Sequence, residues 1–168
     1  MYIVTILSTA LLLFLDQIAK YLAVLHLKGQ ATIPIIKNVF ELQYLENQGA
    51  AFGIMQGKKT FFVIGTLIFL VIVVILYHNI PLTKRFTPIR IVAVLIVAGA
   101  IGNMIDRVVH QYVIDFFYFK LINFPIFNVA DIYVVVACIL FILLMLFYYK
   151  EEELGQIFPF MKNKKAEE

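Results

Sequence analysis

Asp16, Asp106, Asp115 and Asp131 are the only aspartates in the chain, and none of them lies in an ordinary solvent loop. Each falls inside or beside a long apolar run. Two aspartates held close together in a low-dielectric setting cannot both ionise easily, so one keeps a proton at a raised pKa. The charged partner can then act as general base toward a water. The protonated partner can hydrogen-bond an amide carbonyl and later help protonate the leaving amine. Such a pair hydrolyses an amide without a serine, histidine or cysteine nucleophile, and the rest of the chain fits that chemistry. Its only serine, Ser8, lies deep in the first apolar segment. Its only cysteine, Cys138, sits within an apolar run, can form no internal disulfide and has no companion ligands for a thiolate site. His26, His78 and His110 are scattered and read as interfacial or loop residues, so no metal and no cofactor are expected. On chemistry alone Asp131 is one member of the pair, and Asp115 or Asp106 is the other.

The elements that would position these groups follow from composition. The 168 residues fit one domain, 1–168. Hydrophobic residues make up 62% and charged residues 15%, against about 25% charged in soluble domains. The surplus apolar surface calls for lipid as solvent. Four apolar segments, 2–25, 60–77, 89–109 and 127–149, match the roughly 20 residues that cross a bilayer. The first has no basic leader, contains Asp16 and Lys20, and lacks a clear small-residue cleavage site, so it reads as a permanent span. The net charge of +3 comes without a basic stripe interleaved with aromatics, which sets nucleic acid aside as a partner. The 78–90 segment and the tail hold Lys84, Arg85, Arg90, Lys150, Lys162, Lys164 and Lys165. The opposite side holds Lys28, Lys37, Lys58, Lys59 and Lys120. That bias predicts both termini in the cytoplasm. Within 26–59, the run Val39-Phe40-Glu41-Leu42-Gln43-Tyr44-Leu45 alternates apolar and polar residues, which predicts a small extracytoplasmic β-element at the membrane surface. The tail after Lys150 is charged and is expected to fray into solvent.

Depth then singles out a level. Asp16 lies about 15 Å from the outer end of its span at 1.5 Å per residue, Lys20 about 9 Å and Asp131 about 8 Å. Each charge near a span centre costs about 2.5 to 3.5 kcal/mol to insert, so several converging on one leaflet imply a shared polar site. Asp16 and Lys20, at i, i+4, read as an internal ion pair serving as scaffold. Asn103 and Asp106 share a helix face at i, i+3. Asp106-Arg107 reads as a structural ion pair at the outer rim. Asn128 reads as a helix N-cap with Asp131 in the first turn. Gly99-x-x-Gly102 allows another helix to come close, and 47–53 (Asn47 to Gly53) forms a small-residue turn where a peptide backbone could approach. Phe116, Phe117, Tyr118, Phe119 and Phe124 either shield the site or anchor at the interface.

Five blocks occur in one order along the chain. They are Asp16-x-x-x-Lys20, Asn47-x-Gly49-Ala50-Ala51-Phe52, Gly102-Asn103-x-x-Asp106-Arg107, Val113-Ile114-Asp115-Phe116 and Phe127-Asn128-x-Ala130-Asp131. In this combination the chain resembles bacterial lipoprotein signal peptidase, also called signal peptidase II. The resemblance implies a four-helix transmembrane bundle with a small extracytoplasmic β-cradle. It also implies an aspartic endopeptidase, free of metal, that removes the signal peptide of prolipoproteins before a diacylglyceryl-modified cysteine. The catalytic pair it implies is Asp115 and Asp131. Its supporting polar shell maps onto Asp16, Lys20, Asn47, Gly49, Asn103, Asp106, Arg107, Asn128 and Ala130, and globomycin is the inhibitor it implies. The chain departs from the family pattern in Glu46, where a basic residue is common, in Ile114 for valine, and in a short 116–126 connection. The expected partners are a lipidated prolipoprotein and membrane lipid, with the chain acting as a monomer in the bacterial cell membrane. A proton-coupled transporter or channel is the competing class, since intramembrane aspartates mark it too. The nearly all-apolar inner half of each span, such as Phe69 to Ile75, speaks against a conducting path. A structural assembly factor, whose aspartates only bind partner helices, is a third class.

Overall fold

The computed structural model describes residues 2–49 and 57–158. Four helices in it are long and apolar enough to cross a membrane. The first, α1, is Tyr2–Leu27. A hairpin of β1 (Ile33–Ile36) and β2 (Phe40–Asn47) follows, then α2 (Lys59–Asn79) and α3 (Thr87–His110). Strand β3 (Val113–Tyr118) leads through a short 3₁₀ turn, Lys120–Ile122, to α4 (Val129–Leu143), which continues as a π-helical turn, Leu144–Tyr148. A last helix, α5, spans Glu151–Ile157.

The bundle is inside-out relative to a soluble protein. Large apolar side chains such as Ile3, Val74 and Phe147 face outward, whereas the buried residues of α1 are Asp16, Lys20, Ala23 and Leu27. Their spacing of four, three and four residues draws a single stripe down one face. Lipid solvates the apolar faces as well as protein would, so hydrophobic burial does little to hold spans together. Close backbone approach and polar contacts do that work instead. Accordingly α3, which packs on α1, α2 and α4, meets its neighbours through Ala98, Gly99 and Gly102. A Cβ on Gly99 would stand 2.5 Å from the Ala130 carbonyl oxygen and 2.7 Å from Val134 Cγ2, and one on Gly102 would stand 2.5 Å from Asp16 Oδ2. The close approach expected of this glycine pair is therefore present. Gly99→Ala, which meets backbone it cannot displace cheaply, is expected to cost about 1–3 kcal/mol and to splay α3 from α4. Thermal unfolding in detergent measures it, and an unchanged midpoint would contradict the packing argument.

The β-element extends beyond 26–59. The sheet is antiparallel in the order β1-β2-β3, and its third strand comes from the segment between α3 and α4. Gln111, in the left-handed region at φ 75°, reverses the chain out of α3. The outer edge of β3 is covered, because Ile114 N–H donates to Asp106 Oδ2 (3.2 Å) and Phe116 and Phe117 N–H donate to the Phe127 carbonyl (3.0 and 2.8 Å). That last pairing holds Phe127 in a bridge, so α4 starts at Val129, two residues inside the expected span. Alternation along β2 is broken by a bulge between Leu42 and Leu45. As a result Glu41 is buried and paired with Lys120 at 2.8 Å, while Leu45 is exposed. Phe116 is buried and Phe119 and Phe124 are exposed, so the aromatic run divides between shielding and interface.

The start of the tail does not fray. Residues 151–157 form α5, with Leu154 and Ile157 buried beside Phe86 and Tyr149. Arg85 clamps it with two hydrogen bonds to Glu153 (2.8 and 3.0 Å), holding that carboxylate at a pKa of about 2, well below its ordinary value. The charge run suggested solvent, but the intervening Leu154 and Ile157 have an apolar surface to cover. The Lys162–Lys165 part of the tail and residues 50–56 of the small-residue turn lie outside the described residues.

Candidate active site

The site grows from the start of α4. Asn128 is the N-cap, in extended conformation, and accepts a hydrogen bond from Asp131 N–H (3.0 Å). The Asp131 carboxylate returns one from Asn128 N–H (3.0 Å). This reciprocal capping box fixes both side chains at the helix entrance. The expected cap is thus present, and Asp131 keeps an oxygen for other partners. Asp115 arrives from β3, and its two oxygens accept from Asn47 Nδ2 at the end of β2 (2.8 Å) and from Asn128 Nδ2 (2.6 Å). Asn128 also donates to Asn103 Oδ1 (3.1 Å), and Asn103 Nδ2 donates to Asp131 Oδ1 (2.8 Å). Two amides therefore link the two carboxylates.

Hydrogen-bond accounting fixes the direction of this network. Lys20 can only donate. Its Nζ donates to Asn103 Oδ1 (3.0 Å), so the Asn103 amide must turn its NH₂ toward Asp131. Asn128 spends one N–H on Asp115 and the other on Asn103, while its oxygen receives Asp131 N–H. The same ammonium lies 2.9 Å from Asp16 Oδ2 and 2.9 Å from Asp106 Oδ2, all three side chains being almost fully buried. Asp16 reaches further, accepting the backbone N–H of Ala130 (2.8 Å) and so fixing α4 against α1.

One expectation changes here. Asp106 does not pair with Arg107; it is the second anion of Lys20, because side chains one residue apart on a helix point in different directions. Arg107 instead donates to the Gly49 carbonyl (3.0 Å) and lies over the Phe62 ring, 4.7 Å from its centroid. Gly49 N–H in turn donates to Asn47 Oδ1 (3.0 Å), so Arg107 and Gly49 together brace the amide that touches Asp115. Gln17 is a member that sequence reasoning passed over. Its Nε2 donates to Asp16 and Asp106 (both 3.2 Å) and to the Gly102 carbonyl (3.4 Å). An amide adjoining a buried aspartate in mid-span was the available signal.

Asp115 and Asp131 both open onto one cavity of about 750 Å³. Its polar end is formed by Asn47, Asn103 and Arg107, and its walls by apolar groups including Gly99, Phe124, Phe127 and Val135. Burial, and then the nearby charge of Asp131, push the Asp115 carboxyl up to about 7. Asp106, by contrast, is consumed by Lys20 and the Ile114 amide, which leaves Asp115 as the carboxyl facing Asp131's cavity. Glu46, where the chain departs from the resemblance, pairs with Lys28 at 2.8 Å and is held below the usual carboxylate range by it, away from the dyad.

Comparison with known proteins identifies the family. The family model for Signal peptidase (SPase) II matches residues 8–147. A lipoprotein signal peptidase of Caldanaerobacter subterraneus subsp. tengcongensis is 44% identical over 136 residues, covering 80% of this chain and 90% of its own. That of Streptococcus pyogenes serotype M5 is 39% identical over 150 residues, covering 89% and 95%. A solved structure described as a bacterial membrane enzyme superposes with a TM-score of 0.74 at 32% identity, covering 87% of this chain and 94% of that one. By sequence coverage and by fold, the chain belongs to the signal peptidase II family of membrane peptidases.

Proposed function

We propose that this peptidase cleaves diacylglyceryl-modified prolipoproteins on the N-terminal side of the lipidated cysteine, with a water activated between Asp115 and Asp131. The observation that carries the reading is that both carboxylates open onto a single apolar-walled cavity and are joined by Asn128 and Asn103. Asp115, its carboxyl raised to about 7, holds the dyad's proton below that pH and hydrogen-bonds the scissile carbonyl. Asp131, whose oxygens are already oriented by Asn103 and its own cap, takes a proton from the attacking water. Asp16, Lys20, Asp106 and Ala130 set the position of α4. Asn47, Gly49 and Arg107 set that of Asp115. The substrate enters laterally from the outer leaflet with its acyl chains remaining in lipid. The whole chain, 1–168, forms one domain of the bacterial cell membrane with both termini cytoplasmic, acting as a monomer, and a globomycin-type inhibitor would occupy the same cavity. Family membership favours this reading over a proton-coupled transporter or an assembly factor.

The test is to incubate purified protein with a diacylglyceryl-cysteine peptide and weigh the products. A fragment with the lipidated cysteine at its N-terminus is expected, and cleavage elsewhere or none would overturn the proposal. The pH profile gives a separate check. With Asp115 titrating at about 7, raising the pH through that value strips the dyad of its one acidic proton. The cleavage rate is therefore expected to fall on the alkaline side by about tenfold per pH unit. A rate that keeps climbing to pH 9 would assign the proton elsewhere.

A further inference from the structure

Between Phe61 and Leu76, α2 carries a single side chain with a hydrogen-bonding group, Thr66. Its neighbours Ile64, Leu67 and Ile68 are about half exposed to lipid, at 52, 48 and 59%, whereas Thr66 is turned inward and lines the cavity of the dyad. A threonine hydroxyl in an apolar helix ordinarily folds back onto the carbonyl three or four residues earlier. Among the described residues, the Thr66 hydroxyl has no hydrogen-bond partner.

Its level is fixed by the packing of α2 on α3. Phe62 meets Arg107, and Lys59 Nζ reaches the Val108 carbonyl (3.4 Å). The helices run antiparallel. Thr66 shares a face with Phe62 at i, i+4, and Asn103 shares one with Arg107 in the opposite sense. Thr66 therefore stands across the cavity from Asn103, whose amide holds Asp131. Both are about 10 Å below the outer ends of their helices.

A signal segment crossing from the inner side as a helix must stop being helical where its amide reaches the dyad. Its last four carbonyls then lose their intrahelical donors. In hydrocarbon each such group is costly unless protein supplies a donor. Of the other side-chain donors that line the cavity, Asn47 and Asn103 already donate to Asp115 and Asp131, and Arg107 to the Gly49 carbonyl. We infer that Thr66 is a substrate-binding residue, its hydroxyl donating to a main-chain carbonyl of the substrate within one turn on the signal-peptide side of the scissile bond.

This inference rests on the peptidase reading, and the experiment separates the two. Steady-state cleavage of a diacylglyceryl-cysteine peptide is measured for the unmodified protein, Thr66→Val and Thr66→Ser, with unfolding midpoints as a control. The isosteric valine is expected to lower kcat/KM about tenfold, and serine, which keeps the hydroxyl, to stay within about threefold. A valine variant with unaltered kcat/KM, or a serine variant as impaired as valine, overturns the inference while leaving the peptidase reading intact. A second substrate carries ether-linked instead of ester-linked chains. The valine defect is expected to persist on it, and its disappearance would assign the hydroxyl to an ester carbonyl and overturn the peptide assignment. No cleavage by the unmodified protein would overturn both readings.

Discussion

Asp115→Asn and Asp131→Asn will each reduce cleavage of a diacylglyceryl-cysteine peptide by at least about a thousandfold, because each removes one half of an acid–base pair with no substitute nearby. Asparagine preserves shape and much of the hydrogen bonding. At position 115 it would still accept from Asn128, though its NH₂ would face the amide of Asn47. Stability tells chemistry apart from misfolding, and the sign can be worked out. A carboxyl whose folded pKa is raised to about 7 costs stability once the pH exceeds its ordinary value near 4, and the cost is complete above about pH 7. Removing the charge lifts that cost, on the order of a few kcal/mol before the lost Asn47 contact is subtracted. Asp115→Asn is therefore expected to unfold at least as late as the unmodified protein at pH 8, with the advantage shrinking as the pH falls below about 7 and disappearing near pH 4. An inactive variant that also unfolds earlier at pH 8 would point to structure in place of catalysis, and a variant that still cleaves would remove Asp115 from the dyad.

Lys20→Met should produce the largest loss of stability of any single substitution proposed for this protein. The ammonium is 2.9 Å from each of two buried carboxylates, Asp16 and Asp106, and 3.0 Å from Asn103. A methionine fills similar volume but leaves two anions uncompensated in a low-dielectric interior. Breaking a buried ion pair this way costs about 3–5 kcal/mol, against little net gain from the intact pair. The expected readout is an unfolding midpoint lowered by about 10 °C or more, with cleavage lost because Asn103 no longer has a fixed orientation. Neutralising both acids in the same background, as Asp16→Asn with Asp106→Asn, should recover much of the midpoint and little of the activity. Recovery of neither would mean that the acids hold α4 and β3 through Ala130 and Ile114 more than through charge. A Lys20→Met protein as stable as the original would refute the buried triad altogether.

How much of this was legible in the residues differs from place to place. The four spans follow from hydropathy, a local property, and the helices bear them out within about two residues at most ends. The Asn128–Asp131 cap and the Asp16–Lys20 pair join residues three or four apart, a spacing that helical geometry alone brings together. Composition misled at Leu154 and Ile157, where a charge-rich stretch hid the short apolar face that docks α5. It misled at Glu41 as well, where a bulge reversed the alternation and buried the acid against Lys120.

Chemistry by residue type named Asp131 and left Asp115 or Asp106 open as its partner, and only the family resemblance pointed to Asp115. Burial and charge along either segment do not separate them. The two differ because α1 swings Lys20 onto Asp106 and because β3, pairing with β2, turns Asp115 toward Asn47 and Asn128. The chain alone specified which groups lie at the polar level, since the cost of placing charge in lipid and the rise of a helix are counted along one segment. Which of them meet was decided by contacts between segments as far apart as Asp16 and Ala130, and a linear pattern carries no record of those distances.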